Sequence, residues 1–178
     1  MDKVRKMIFL SLLVALGLVL GVIESFMPLP YVAPGAKLGL SNIVILITLV
    51  LYGFKEGMVV GILKSLVLTL ITGSVSSLFY SLFGAIFSGI VMYIVYAYFS
   101  KVFSLIGVSI FGAVAHNTGQ VFVASIMMKN FRIFSYLPIL HLISLFTGYF
   151  VGLASIFITD NLKKKWENFF ETNNVKVI

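Results

Sequence analysis

The side chains able to do chemistry in this 178-residue chain are few, and several stand where a polar group is unexpected. Lys64 lies inside the apolar stretch from Met58 to about Gly73. A lysine near the centre of a bilayer costs about 2.5–3.5 kcal/mol on insertion scales. It must face a bundle interior, pair with an acid, or snorkel to the interface. Glu24 is the nearest acid by depth, so three readings stand: a Glu24–Lys64 pair, a snorkelling lysine, or a cation for an anionic ligand. A second feature is His116-Asn117-Thr118-Gly119-Gln120. Spacings of three and four put His116, Asn117 and Gln120 on one helix face. Each carries donors and acceptors that lipid cannot satisfy. Hydrogen bonding between helices and ligand binding both remain open for that face.

The third feature is the run from Pro28 to Asn42, with three prolines and two glycines within residues 28–39. That composition forbids a regular helix. The run is too apolar for an ordinary exposed loop, and backbone of this kind is tolerated at membrane depth only where protein covers it or it lines a cavity. Lys37, Ser41 and Asn42 stand at the start of the short apolar segment that follows. The first amides of a helix beside Lys37 would suit an anion; a plain connector with Lys37 at the interface is the alternative. His141, near the outer end of the last apolar run, reads as interfacial. Thr69, Thr72 and Thr147 can bond back to their own helices and carry little information.

Much chemistry is excluded. There is no cysteine, hence no disulfide, thiolate ligand or thiol nucleophile. Two histidines alone do not make a structural zinc site. Asp2 and Asp160 are the only aspartates, so no aspartate cluster can hold magnesium on a diphosphate. No P-loop, G-x-S-x-G elbow or H-E-x-x-H is present. Between the chain ends the only acids are Glu24 and Glu56. Glu56, beside Lys55, reads as an interfacial pair, which leaves Glu24 as the one carboxylate a proton-coupled carrier would use. The expectation is a protein that is not an enzyme and takes no cofactor and no metal, leaving binding and translocation.

The elements that must position these residues follow from composition. Hydrophobic residues make up 60% of the chain, charged ones 11%, and the mean hydropathy is +1.11. Soluble domains run to about 45–50% apolar and about 25% charged. Continuous rather than alternating apolar runs predict an all-α polytopic integral membrane protein with a six-helix transmembrane bundle. The spans are expected near residues 7–27, 38–52, 58–73, 76–99, 105–128 and 136–159. Together they form a transmembrane domain over 1–160, followed by a basic cytoplasmic tail over 161–178. The first run follows Lys3, Arg5 and Lys6 but is too long for a signal h-region and lacks a small-residue cleavage site, so it reads as a retained span.

With the N-terminus inside, Lys3, Arg5, Lys6, Lys55, Lys101, Lys163, Lys164, Lys165 and Lys176 fall on the cytoplasmic side, against Lys37, Lys129 and Arg132 outside. That bias places both termini in the cytoplasm. The net charge of +7 is therefore a topology signal and does not point to nucleic acid. Trp166 and Phe169 beside the lysine run suit a helix on the inner leaflet, with a solvated tail as the alternative. Small residues four apart recur at Gly17/Gly21, Gly57/Gly61, Gly84/Ser88, Ala115/Gly119 and Gly148/Gly152 and allow close helix approach. Most would pack internally. Ala15, Gly17 and Gly21 are the candidate face for a partner subunit, with packing inside this chain as the alternative.

Several motifs carry a family resemblance. Pro34-Gly35-Ala36-Lys37-Leu38-Gly39-Leu40-Ser41-Asn42-Ile43, Gly53-Phe54-Lys55-Glu56 with Lys64, Gly107-Val108-Ser109, and Gly112-Ala113-Val114-Ala115-His116-Asn117-Thr118-Gly119-Gln120 resemble the bacterial membrane family labelled Gx transporter. The same family is labelled heptaprenyl diphosphate synthase component I. The resemblance covers about residues 7–160. The six-helix size and the cytoplasmic termini are also similar to the substrate-binding S components of energy-coupling-factor transporters. That likeness implies a protein of the bacterial cytoplasmic membrane that captures a small molecule and is energised by a transmembrane coupling subunit with ATPases. Lys37, Asn42, Lys64, His116, Asn117 and Gln120 are the expected ligand-contacting residues for a small anionic or amphipathic molecule. The other readings are a non-catalytic accessory subunit in isoprenoid or quinone biosynthesis, and a membrane redox assembly subunit handling flavin or quinone.

Overall fold

The computed structural model describes residues 3–26 and 38–172, and no strand occurs among them. Lys37, the proline-rich run before it and Lys176 lie outside the described residues. Six helices follow one another: α1 Lys3–Phe26, α2 Ile43–Tyr52, α3 Phe54–Thr72, α4 Val75–Phe99, α5 Leu105–Met127 and α6 Leu137–Thr172. Two 3₁₀ turns, Leu40–Asn42 and Phe131–Tyr136, lead into α2 and α6. Residues 161–172 continue α6 without a break.

Glycine and serine set the joints. Gly39 takes φ +86°, a left-handed conformation that favours glycine. It opens the first 3₁₀ turn, which Asn42 N–H closes on Gly39 C=O at 3.0 Å. Gly53, at φ +98°, ends α2 by donating to Leu49 C=O at 3.0 Å and starts α3 at once. Ser74 caps α4, its hydroxyl accepting the Ser77 N–H at 3.3 Å. Asn130 does the same for the second 3₁₀ turn, accepting from the Arg132 N–H at 3.0 Å.

Among the described residues, four stretches are long and apolar enough to cross a membrane: α1, α4, α5 and the Phe131–Lys165 run that includes most of α6. The chain is a membrane protein by that measure. α3 has 19 residues but carries Lys55, Glu56 and Lys64, and α2 has only 10. At 1.5 Å per residue, α2 is about 15 Å long.

α2 is nonetheless the centre of the molecule. Ile43 to Leu49 are all buried, and the helix packs on α1, α3, α4 and α6. Met92, Val108 and Val151 close around it. The outer surface carries Leu12, Val19, Phe83, Phe87, Phe146 and Phe157, while Glu24, Lys64, Ser65, His116, Asn117 and Gln120 are inside. This is the reverse of a soluble protein. Lipid is as apolar as leucine, so close packing and satisfied polar groups, rather than transfer of apolar surface, must hold such a bundle together.

The small-residue pairs explain the close approach. A side chain on Gly148 or Gly152 would meet the backbone of Ile110 or Ile106, at 2.7 and 2.5 Å. On Gly61 it would meet Ile45 at 2.9 Å. Gly17 and Gly21 also point inward: a Cβ on Gly17 would lie 2.9 Å from Lys64 Cδ and Val44 Cγ2, and one on Gly21 2.6 Å from Leu68. The face expected to meet a partner is thus filled by α2 and α3 of the same chain. Of the three residues named for it, Ala15 alone is exposed.

Candidate functional site

The site begins at the 3₁₀ turn Leu40–Asn42, which is gripped from two sides. From α1, the Glu24 carboxylate accepts the Leu40 N–H at 2.5 Å and the Ser41 N–H at 3.4 Å. Those amides open a helix, where no intrahelical acceptor exists and a negative charge is favoured. From α3, Lys64 Nζ donates to Ser41 Oγ at 3.0 Å and Asn42 Oδ1 at 3.3 Å. Glu24 is 2% exposed and Lys64 0%. The absent side chain of Gly17 leaves the slot in which the lysine stem lies. Acid and amine therefore meet on Ser41, one on its amide and one on its hydroxyl.

Asn42 links this turn to α5. Lysine only donates, so the Asn42 atom facing Lys64 must be the carbonyl oxygen. Its amide nitrogen then points away. A Cβ built on Gly39 would lie 3.0 Å from Asn42 Nδ2 and 3.2 Å from His116 Cδ2, so turn and imidazole share one corner. His116 Nε2 lies 2.5 Å from Gln120 Nε2, within hydrogen-bond reach. The ring rests on Gly84 of α4, where a Cβ would come within 2.6 Å of Cε1.

Asn42, Lys64, His116 and Gln120 therefore form one buried polar strip across the bundle. Asn117 is turned elsewhere, although it neighbours His116. Its Nδ2 donates to Ser144 Oγ at 2.7 Å and Leu140 C=O at 3.3 Å on α6. Thr118 and His141 join the same pair of helices at 3.1 Å, so His141 is an α5–α6 contact. Asn117 is thus a helix-to-helix tie. Lys37 lies outside the described residues.

Three contributors were not among the expected ligand contacts. The sequence offers Glu24 as one possible partner for Lys64, and the structure makes it an acceptor for the turn. Ser41 stood beside Asn42 unremarked as a lysine acceptor. Ser109 has no sequence signal that separates it from any helical serine. It and Asn42 line a narrow cleft with Gly39, Met92, Ala113, Thr147, Gly148 and Val151. Both are 1% exposed, yet Asn42 Nδ2 and Ser109 Oγ have no hydrogen-bond partner. Leaving such a group unsatisfied costs about 1–3 kcal/mol. Ser65, Ser144 and Ser155 avoid that cost by donating to the carbonyl four residues back.

At the far end of α1, Glu56 pairs with Lys6 at 2.6 Å rather than with Lys55. Adjacent helical residues point apart, which is why the Lys55 pairing fails. The Lys6 hydrogen bond, followed by the backbone, holds the Glu56 carboxyl below its usual range. Lys6 also lies 5.6 Å above the Tyr52 ring. No group of three or more His, Cys, Asp or Glu able to hold a metal occurs among the described residues.

A family model described as heptaprenyl diphosphate synthase component I matches residues 13–158. Comparison with curated proteins and with solved structures finds no match.

Proposed function

The chain belongs to the heptaprenyl diphosphate synthase component I family, and from that premise we propose that it is a membrane subunit that captures a small anionic or amphipathic molecule within its bundle. The observation that carries this reading is the buried strip of Glu24, Ser41, Asn42, Lys64, His116 and Gln120 inside an apolar exterior. Polar groups at membrane depth are costly, and function is their default reading. Transfer would be energised by separate partners, a transmembrane coupling subunit with ATPases in the manner of energy-coupling-factor S components. Lys64, anchored on Ser41 and Asn42, orders the strip, and Asn42, His116 and Gln120 orient the ligand.

In this reading all six helices cross the membrane, with both termini on the cytoplasmic side. Two contacts support it. Glu24, near the end of α1, meets the start of α2, whereas Lys6, near its beginning, meets Glu56 at the start of α3. The α2–α3 joint therefore lies level with the N-terminal end of α1, and α2 runs back across the bundle. α3, at 19 residues, is about 28 Å long, close to the hydrocarbon core of about 30 Å.

The test is mass spectrometry of small molecules extracted with the gently solubilised protein, wild type beside Lys64→Ala and His116→Ala. Enrichment lost in folded variants supports the reading, and equal yields contradict it.

The family description favours a second reading, an accessory subunit beside a separate catalytic one in isoprenoid diphosphate synthesis. With only Asp2 and Asp160 as aspartates, the chain is not itself the synthase. Purified chain given farnesyl and isopentenyl diphosphates with magnesium should elongate nothing until a catalytic partner is added. Elongation by the chain alone would overturn both readings.

A further inference from the structure

Two residues with unpartnered buried donors line the same cleft. Lys64 donates to the Asn42 carbonyl at 3.3 Å, which leaves Nδ2 as the unpartnered end of an amide that borders the cleft between the first 3₁₀ turn, α4, α5 and α6. Ser109 Oγ stands on the α5 wall of that cleft, and neither atom has a partner. The remaining wall is apolar or small: Met92, Ala113, Gly148 and Val151. Met92, a flexible side chain seated over Gly112, helps to fill the cleft, which in this conformation is too narrow to seat a water molecule. Glu24 and Lys64 both end on Ser41, so the buried amine has an acid beside it, and the two groups that border the cleft are an amide and a hydroxyl. Donors without net charge suit an uncharged acceptor, whereas a phosphate there would be a buried charge without compensation.

We infer that this cleft is a recognition subsite for an uncharged carbonyl group at the head of an amphipathic molecule, with Asn42 and Ser109 as donors. Lys64 is a positioning residue that aims Asn42, and access requires Met92 to rotate. This narrows the ligand class within the proposed capture function and rests on that reading.

The probe is carbonyl-¹³C 2-undecanone, added to the full chain in lipid nanodiscs and followed by infrared spectroscopy against protein-free discs. A saturable, red-shifted carbonyl band is expected in wild type. Loss of one hydrogen bond should weaken its half-saturation about tenfold in Ser109→Ala and in Asn42→Leu. Ser109→Ala removes a hydroxyl with no partner and should fold normally, which guards against Asn42→Leu failing to fold. Ser88, equally buried and unpartnered but outside the cleft, is the control: Ser88→Ala should leave the band unchanged. Decyl phosphate should not displace the ketone. No saturable band, a band indifferent to both Ser109→Ala and Asn42→Leu, or displacement by decyl phosphate would overturn the inference. If the ketone fails while a molecule still co-extracts in a Lys64-dependent manner, the inference alone falls. If no molecule co-extracts, the capture reading falls.

Discussion

Lys64 shows how one residue can be legible in a sequence while its role is not. An isolated lysine in an apolar run had to be buried, paired or snorkelling, and the residues could not choose among these. The structure buries it wholly and gives it Ser41 and Asn42, because Gly17 vacates the space its stem needs. Nothing local to Lys64 encodes that slot, which lies 47 positions earlier in the chain. Removing one member of a buried charged pair costs about 3–5 kcal/mol. Lys64→Met should destabilise the protein by about that much. Glu24→Gln with Lys64→Met should cost clearly less than the sum of the single changes. Thermal unfolding in detergent across the four proteins measures the coupling; simple additivity would mean the two do not work together. Glu56 is the second residue with a definite expectation. Its carboxyl is held below its ordinary value near 4.5 by Lys6, so folding favours the ionised form. That contribution is fully present above the unfolded value and is lost as pH falls through the lower, folded one. The pair is partly exposed, so its worth is at most about 1 kcal/mol. Glu56→Gln should flatten the acid limb of stability between about pH 5 and 3, and an unchanged limb would show that the pair is immaterial.

At the scale of the elements, the helices were readable because their apolar runs are long and their breaks are chemical: Gly53, Gly73 and Ser104 punctuate the sequence where the helices end or begin. The internal role of the small-residue pairs was readable too, but not which pair faces which neighbour, since that depends on how α2 is swallowed by the other helices. Gly152 is the sharpest case. Its would-be Cβ meets Ile106 Cα at 2.5 Å, and backbone cannot swing aside as a side chain can. Gly152→Ala should therefore separate α5 from α6, at about 1–3 kcal/mol or more. The three atoms nearest a Cβ on Gly84 all belong to the His116 imidazole, the first at 2.6 Å, so in Gly84→Ala the bundle should survive while His116 is displaced. The expected signature is a small loss of stability beside a large loss of ligand, measured on the same preparation. Equal losses in both would place His116 among packing residues.

For the whole molecule, composition announces the membrane, and the structure adds what composition cannot: a polar interior assembled from α1, the first 3₁₀ turn, α3 and α5, which are distant in sequence. The absence of cysteine allows a clean topology test. A single cysteine at Lys55 should react with a membrane-impermeant maleimide only from the cytoplasmic side if α2 and α3 both cross, and one at Lys129 only from outside. A Lys55 site unreactive from both sides would mean that α2 and α3 form a re-entrant hairpin. The central claim is that the strip from Glu24 to Gln120 exists to hold a small molecule. Its most direct test is mass spectrometry of what co-extracts with wild type and with folded Gly84→Ala, which moves His116 without touching Lys64. A discrete polar-headed molecule, stoichiometric in wild type and strongly depleted in the variant, is the expected result. No such molecule in wild type, or equal amounts in both, would contradict it.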